Sequence, residues 1–260
     1  DNLYGIFEGV QKIRTNNKTA DMIKYTSNSL LATMISFSNE IANLSAAIEG
    51  IDVVDVMKGV HLDKRLSPIL PNGERIVPFF TTYLEAGCGF GGSCFPKDVK
   101  ALIAQGKRIA RPLALLETVM RINEEQPKHV LSLLKKHYPS LKGLHIAVLG
   151  LAFKPGTDDM RESPAIPIIN YLLAEEAIIT AYDPVAKNEA MKMFGNFNIR
   201  YCDNLCEAIT EVEAIILVTR WEEFREIPEL LVDLHPQPLF IDGRRMLDKN
   251  SIPRYEGIGL

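Results

Sequence analysis

The spacing of apolar residues divides the chain into two halves. In the first half apolar residues recur every three to four positions, as on one face of a helix, and the longest such stretch covers 19–49. In the second half short apolar runs alternate with helical stretches, which is typical of buried parallel strands. We therefore predict an α/β chain, with an all-helical domain over 1–140 followed by a doubly wound, Rossmann-like parallel α/β domain over 141–260.

The long helix is the most distinctive element of the first half. Thr19 is its expected N-cap and Gly50 its expected end. Small polar residues are interleaved with its apolar ones, namely Ser36, Ser38, Asn39, Asn43 and Ser45. This mixture indicates buried polar contacts, and a helix of about 30 residues spans roughly 45 Å, a length often found at subunit interfaces.

Shorter elements follow from the same patterns. Further helices are predicted over 52–60, 96–106 and 113–138, the last with a break near Pro127. Strands are predicted over 144–149, 177–182, 214–219 and 239–241. Between the first two strands, Ser163 is the expected cap of a helix that begins with Pro164 and continues to about residue 176.

A glycine-rich turn between Gly87 and Asp98 carries the clearest chemistry. Its glycines let a ligand approach the main chain closely, and a thiol, Cys94, follows them directly. The predicted helix over 96–106 places Cys94 near a helix N-terminus, where the dipole favours negative charge, and Lys97 adds a cation. Cys94 is therefore either a nucleophile or a small thiol that only packs in a tight turn.

Other candidate residues flank this turn or follow the strands. Lys24 and Asn28 lie four apart on one face of the long helix, either functional or on a solvated surface. Lys154 and Arg161 lie in the loop after the first strand, where ligands bind in open α/β sheets. They could contact phosphate oxygens or form ion pairs within the loop. Arg244 follows the last strand at the same edge and could join such an anion site.

Composition narrows the functional classes. The 260 residues are 47% hydrophobic and 24% charged, with a net charge of -4, so neither nucleic acid nor a membrane surface is an expected partner. Four cysteines are too few for a disulfide-stapled secreted domain and favour a reducing cytoplasm. Cys202 and Cys206 lie four apart, but no further ligand completes a metal set, so no metal is expected.

Three blocks of sequence, at 24–43, 89–102 and 150–184, carry a resemblance to a known family, and a weaker fourth lies at 242–244. In these blocks and their order the chain resembles the central and C-terminal parts of the UDP-glucose/GDP-mannose dehydrogenase family. The resemblance implies an NAD-dependent four-electron oxidation of a nucleotide sugar, UDP-glucose to UDP-glucuronate. It also implies a homodimer formed through the helix at 19–49.

The resemblance assigns roles to individual residues. Cys94 holds the sugar as a thiohemiacetal and then a thioester, while Lys24 and Asn28 stabilise oxyanion charge or place water, and Asp98 orients or activates water. Around the nucleotide sugar it places Tyr83, Leu84, Glu85, Gly87, Gly89, Phe90, Gly91, Phe153, Lys154 and Arg244. Arg161 and Lys97 are placed near NAD. An arginine that reaches across the dimer is assigned to Arg75, with Arg65 as a competitor.

Alternatives remain open at this stage. Residues 1–17 include no initiator methionine and no strand followed by a glycine-rich turn, so we expect a fragment that lacks the family's NAD-binding N-terminal domain and is inactive by itself. The substrate could instead be GDP-mannose or a UDP-N-acetylhexosamine, although the segment 95–98 and the block around Lys154 favour UDP-glucose. A non-catalytic module for nucleotide-sugar binding or dimerisation is the remaining alternative.

Overall fold

The structure, a computed structural model, describes residues 9–195 and 198–260. Residues 1–8, part of the segment 1–17 in which no strand and glycine-rich turn were predicted, lie outside the described residues. None of the helices in the described part of the chain is both long enough and apolar enough to span a membrane.

The helical half contains four helices, and their bounds differ slightly from the predicted ones. They are α1 (Asn17–Ser45), α2 (Val53–His61), α3 (Phe95–Arg108) and α4 (Ala114–His137), with a short 3₁₀ helix at Phe79–Tyr83 before the glycine-rich turn. Thr19 is not the cap of α1. Asn16 caps it, and its side-chain oxygen accepts a hydrogen bond from the Thr19 amide at 2.9 Å. The helix also ends at Ser45, four residues before the predicted end.

The predicted break near Pro127 is wrong, because α4 continues through this proline. The cost is one backbone hydrogen bond, since a proline at 127 has no N–H to donate to the carbonyl of Asn123. Pro127 is buried among the apolar residues of α4, and this packing offsets the missing bond.

In α1 small and polar residues are buried and large apolar residues are exposed, which is the reverse of an ordinary surface helix. Its buried residues are small and mostly polar: Ser29, Ala32, Ser36, Ser38, Asn39, Ala42 and Ser45. Several of its large apolar residues are exposed instead: Met22, Ile23, Leu30, Phe37 and Leu44. The predicted buried polar contacts are confirmed, because the Ser36 hydroxyl donates to the carbonyl of Val119 in α4 at 2.9 Å. Small side chains allow α1 to approach α3 and α4 closely and leave an apolar stripe facing outward.

The second half is a six-stranded parallel sheet in the order β3-β2-β1-β4-β5-β6. The strands are β1 (His145–Leu149), β2 (Ile178–Tyr182), β3 (Ile199–Tyr201), β4 (Ala214–Leu217), β5 (Leu239–Asp242) and β6 (Tyr255–Gly257). Helices α5 (Ala165–Ala174), α6 (Lys187–Phe194), α7 (Leu205–Ile209) and α8 (Ile227–Leu231) connect them. This is the doubly wound order, and the predicted Rossmann-like class is confirmed. The prediction missed β3 and β6, and α5 begins after Pro164 and ends at Ala174.

Direct bonds join the two halves. The amide of Val53 donates to the carbonyl of Gly259 at 2.9 Å. Asp52, which caps α2, pairs with Arg245 at 2.8 Å and with Lys249 at 2.9 Å, and both cations lie beyond β5. The chain passes from one half to the other between His137 and His145. A domain boundary near residue 140 stays a prediction.

Candidate active site

The glycine-rich turn lies between the two halves and is bonded to both. On the helical side, the Asn39 side chain accepts from the Gly87 amide at 2.8 Å, and Asn123 exchanges two hydrogen bonds with the Phe90 backbone. On the α/β side, the Cys88 amide donates to the Gly243 carbonyl at 2.7 Å, and the Gly92 amide donates to that of Arg161 at 2.8 Å. The turn is therefore fixed through its own peptide groups.

Two of the glycines are required by sterics. A Cβ at Gly91 would collide with the carbonyl oxygen of Glu162, in the loop after β1. Gly89 has a φ of +102°, in the region that side chains rarely adopt, and a Cβ there would lie 3.0 Å from Asn123. The sequence therefore uses glycine here to pack the turn against both halves at backbone distance.

Cys94 follows the turn as the N-cap residue of α3, and its side chain is exposed. The thiol lines a cavity of about 420 Å³, here named the thiol cavity. Phe153 and Lys154, from the loop after β1, line the same cavity. Open space therefore connects the sulfur atom with the carboxyl edge of the sheet, where open α/β folds bind their ligands.

The thiol cavity collects most of the predicted substrate residues. Those that line it are Tyr83, Glu85, Gly87, Gly89, Phe90, Gly91, Phe153, Lys154 and Arg244. Aromatic rings form part of its wall, with Tyr83 and Phe90 both packed against Phe95 at centroid distances of 6.0 and 5.9 Å. The cavity thus offers aromatic surface and main-chain groups near the thiol, and cations at the sheet edge.

Arg244 is the most deeply placed of these cations. Its guanidinium donates to the carbonyls of Val218 at 2.6 Å and Gly89 at 2.8 Å, so it also links the turn to the sheet. Burial lowers the pKa of this guanidinium, which nevertheless stays protonated because arginine is so strongly basic. An anion in the cavity would therefore meet a fixed positive charge.

Lys24, Asn28 and Asp98 form one cluster behind Cys94. The buried carboxylate of Asp98 accepts from Asn28 at 2.6 Å and from the Lys24 ammonium at 3.1 Å, and Lys97 lies 2.9 Å from its other oxygen. Burial raises the pKa of Asp98, but the groups of Lys97, Asn28 and Lys24 outweigh it, and the net pKa is lowered. The carboxylate is therefore ionised at neutral pH; its Oδ2 accepts both hydrogen bonds, whereas its Oδ1 meets Lys97 only as an ion pair. The Asp98 amide donates to the Cys94 carbonyl at 2.9 Å, which fixes the cluster to the thiol-bearing residue.

Arg161 and Lys97 line a different cavity, of about 690 Å³, on the other face of the glycine-rich turn. Phe90 and Ser93 are shared by both cavities. Arg161 pairs with Asp159 at 2.8 Å, and this hydrogen bond raises the pKa of Arg161. Two cations at the rim of this Arg161 cavity make it suitable for an anionic cofactor that must reach the same turn.

Three of the residues predicted around the substrate, Leu84, Arg75 and Arg65, do not line the thiol cavity, and neither do the predicted catalytic residues Lys24, Asn28 and Asp98. Leu84 is buried, and its carbonyl accepts from His61 at 3.1 Å. The guanidinium of Arg75 donates to the carbonyls of Leu62 and Ser67 at 2.8 and 2.9 Å. Arg65 is exposed and pairs with Asp63. A role for Arg75 or Arg65 in a partner's site stays a prediction.

The sequence reasoning missed several residues that build the site. Arg220 lines the thiol cavity, pairs with Glu85, and donates to the Arg244 carbonyl. Its position directly after β4, at the carboxyl edge of the sheet, is a signal that could have identified it. Asn39 was singled out only as one of the polar residues expected to make buried contacts in the long helix, and Asn123 was not singled out; their bonds to the turn, 48 and 33 residues away, have no signal in local spacing.

None of the other three cysteines lines the thiol cavity. Cys88 and Cys202 are buried, Cys206 is exposed, and all four cysteines of the chain are free. Burial raises the pKa of Cys202 to about 11. Among residues 9–195 and 198–260, no three His, Cys, Asp or Glu side chains are grouped so that they could hold a metal ion.

A doubly wound sheet, with a thiol-bearing glycine turn packed over its carboxyl edge, defines a class of two-domain α/β proteins with a ligand site between the domains. Two family models match the chain: residues 18–125 match the central domain of the UDP-glucose/GDP-mannose dehydrogenase family, and residues 147–249 match its UDP binding domain. Together they cover most of the sequence. The chain belongs to the UDP-glucose/GDP-mannose dehydrogenase family.

Individual relatives agree with this assignment. The chain is 42% identical over 235 residues to the UDP-glucose 6-dehydrogenase TuaD of Bacillus subtilis, which covers 90% of this chain and 48% of that protein. A solved UDP-glucose dehydrogenase from Pyrobaculum islandicum has a TM-score of 0.82 and 33% identity, covering 99% of this chain and 55% of that one. A UDP-D-ManNAc dehydrogenase from Pyrococcus horikoshii has a TM-score of 0.76 and 26% identity, covering 99% and 56%. The chain spans about half the length of the curated relatives it matches.

Proposed function

We propose that this chain binds UDP-glucose in the thiol cavity and supplies the nucleophile for its oxidation to UDP-glucuronate. The observation that carries the proposal is the exposed thiol of Cys94 in a cavity that extends to Lys154 and Arg244 at the sheet edge. A diphosphate needs cations and main-chain donors at that edge, and the sugar C6 must reach the sulfur. The names of the relatives and of the UDP binding domain support the same substrate.

The chemistry follows from a thiol that remains bonded to the sugar between two oxidations. The C6 alcohol is first oxidised to an aldehyde, and the sulfur of Cys94 adds to the aldehyde carbon to give a thiohemiacetal. Oxidation of this adduct gives a thioester, and water then cleaves the C–S bond to give the carboxylate and the free thiol. Because the aldehyde is held covalently, it is not released between the steps.

The cluster of Lys24, Asn28 and Asp98 would stabilise the thiohemiacetal and the thioester. The ammonium of Lys24 and the amide of Asn28 are donors suited to the oxyanion of the thiohemiacetal. Asp98 is buried and engaged with its donors, so we assign it to positioning Lys24 and Asn28 rather than to taking a proton from water.

NAD is the proposed oxidant. When bound, it supplies the two-electron acceptor for each oxidation. The Arg161 cavity fits such a group, because it carries Arg161 and Lys97 and shares the wall of the glycine-rich turn with the thiol cavity. Arg161 and Lys97 would contact the anionic part of the cofactor.

The free state of all four cysteines supports a reducing, cytoplasmic location.

We further propose a homodimer formed through α1. The outward-facing apolar stripe of this helix supports the proposal, since large apolar residues in a row on a helix face usually mark an interface. A second copy of the chain is its natural occupant, because equivalent helices can pair about a two-fold axis.

The second candidate function keeps the chemistry and changes the sugar to a UDP-N-acetylhexosamine. It is supported by the similarity in fold to the UDP-D-ManNAc dehydrogenase. The higher identity to proteins named UDP-glucose dehydrogenases favours UDP-glucose.

Alkylation of Cys94 by iodoacetamide tests the proposed function directly. We expect UDP-glucose at ten times its dissociation constant to slow alkylation of Cys94 about tenfold, because the sugar covers the sulfur in the thiol cavity. Cys206 is the internal control, since it is equally free and exposed but remote from the cavity, and its rate should not change. Peptide mass spectrometry measures both rates in one sample.

The same assay ranks the alternative substrates. Equal alkylation of Cys94 with and without every nucleotide sugar tested would contradict the proposed site. Protection by GDP-mannose or UDP-N-acetylglucosamine at lower concentrations than UDP-glucose would keep the site and replace the substrate.

A further inference from the structure

A cavity of about 250 Å³ lies behind one wall of the thiol cavity and is lined by Arg220, Arg225 and Arg245; we name it the arginine cavity. Glu85 and Arg220, which form an ion pair, line both cavities and therefore belong to the wall between them. We propose that the arginine cavity binds a small phosphate-bearing anion at a site separate from the thiol cavity.

The lining of the arginine cavity holds four cations and one carboxylate. Lys58 comes from α2, Arg220 and Arg225 follow β4, and Arg245 follows β5, so cations from three parts of the chain meet there. Of the described residues that line it, Glu85 is the only acidic one. The carboxylates that pair with the other cations, Asp55, Glu222 and Asp52, lie outside the lining. Each lining cation thus has a carboxylate partner, but three of these partners stand outside the cavity, so the lining presents cationic groups to a ligand.

Donors remain available for an anion. Arg225 donates through Nε to Glu222 at 2.6 Å, and its two terminal nitrogens make no hydrogen bond with the described residues. The side chain of Arg245 is 5% exposed and is anchored by Asp52 and by the Ile258 carbonyl, while its Nε has no partner in the described part of the chain. The Nε of Arg245 is closed to solvent, so the terminal nitrogens of Arg225 are the donors open to an anion, and guanidinium N–H groups match the oxygen geometry of phosphate.

The volume and the apolar residues of the arginine cavity limit which ligands can fit. Val53, Val54 and Met57 form an apolar side opposite the arginines. A volume of about 250 Å³ is below the usual range for nucleotide-sized ligands and suits a phosphate, a pyrophosphate or a small phosphate ester. The shared Glu85–Arg220 pair means that an anion here would compete with Glu85 for Arg220 and so alter the thiol cavity.

Calorimetric titration of the chain with inorganic pyrophosphate, with and without saturating UDP-glucose, tests the site. A parallel titration with glucose 1-phosphate distinguishes the free anion from a phosphate ester. The test variant is Lys58→Ala/Arg225→Ala, which removes two exposed cations of this cavity that do not line the thiol cavity. Lys142→Ala/Lys192→Ala is the matched control, because both lysines are exposed and paired with a carboxylate elsewhere.

With UDP-glucose saturating the thiol cavity, we expect one equivalent of pyrophosphate or glucose 1-phosphate to bind. The affinity should fall about tenfold or more in the test variant and stay unchanged in the control, because each lost contact is a charge-assisted hydrogen bond. Three results would overturn the proposal: no binding of either anion, equal affinity in the test variant, or complete displacement by UDP-glucose. None of these results depends on whether the chain carries out the reaction proposed above.

Discussion

At the scale of single residues, Asp98 shows how a carboxylate can act on a site without facing the ligand. It is fully buried, and Lys24, Asn28 and Lys97 surround it. Two of these donors come from α1, whereas Asp98 lies in α3 and Cys94 is the N-cap residue of that helix. The carboxylate therefore joins the two helices that carry the proposed catalytic groups.

Replacement of Asp98 by asparagine should destabilise the protein by about 2–3 kcal/mol, because the buried site loses the charge-assisted hydrogen bonds that Asp98 accepts from Asn28 and Lys24. The expected decrease in melting temperature is roughly 5–10 °C. Asp55→Asn is the control, since Asp55 and its partner Lys58 are largely exposed and 3.7 Å apart, and little change is expected. An unchanged melting temperature in the Asp98 variant would contradict the cluster.

The stability difference between wild type and the Asp98→Asn variant should depend on pH in a definite direction. The pKa of Asp98 is lowered in the folded state, so its contribution is complete above the ordinary carboxyl pKa and is lost as the pH falls through the lowered value. The difference in stability between wild type and Asp98→Asn should therefore shrink on acidification.

At the scale of elements, the longer hydrophobic runs in the sequence predicted strands correctly, and the shortest strands were missed. The strands β1, β2, β4 and β5 are fully or largely buried runs and were found, with errors of one or two residues. The strands β3 and β6 have three residues each, too few for any alternation to stand out. The thiol, the glycine turn and the sheet-edge cations were identified, but the asparagines that hold the turn depend on tertiary contacts that no local spacing reveals.

The helix α1 carries a prediction of its own. Leu30 is 60% exposed in the middle of the outward apolar stripe, so Leu30→Glu should place two like charges near the two-fold axis of the proposed dimer. We expect the dimer to dissociate to a monomer, as measured by light scattering after size exclusion.

A matched change elsewhere separates this effect from general loss of stability. Val232 is 66% exposed at the end of α8, on the α/β half, and Val232→Glu should leave the dimer intact. A wild-type chain that is monomeric at tens of micromolar, or a Leu30→Glu dimer of unchanged affinity, would refute dimerisation through α1.

At the scale of the whole molecule, the two halves are connected by a nearly buried ion cluster. The Asp52 carboxylate is 9% exposed, caps α2 in the helical half, and pairs with Arg245 and Lys249 of the α/β half. Burial raises the pKa of Asp52, but the two cations and the Val54 amide outweigh it and lower the pKa from 3.8 to about 2.

Asp52→Asn should therefore cost about 3 kcal/mol at neutral pH, because Arg245 would remain buried without its counter-charge while the amide oxygen can still cap α2. The cost should fall as the pH drops from 3.8 toward 2, where the wild-type carboxylate itself becomes protonated. Urea unfolding at several pH values measures it. A cost that stays constant across that interval would show that the ion pairs do not link the halves energetically.

The way in which the glycine-rich turn is fastened has a consequence for how such proteins diversify. The amides of Cys88 and Gly92 hold the turn to the α/β half through main-chain carbonyls, and the side chains of Asn39, Asn123 and Arg244 also bond to its peptide groups, so the bonds that fix the turn end on its own backbone. Mutations at wall positions such as Tyr83 or Glu85 can then exchange one hexose for another across evolutionary time while the nucleophile stays where it is. A single scaffold can in this way give rise to many sugar specificities.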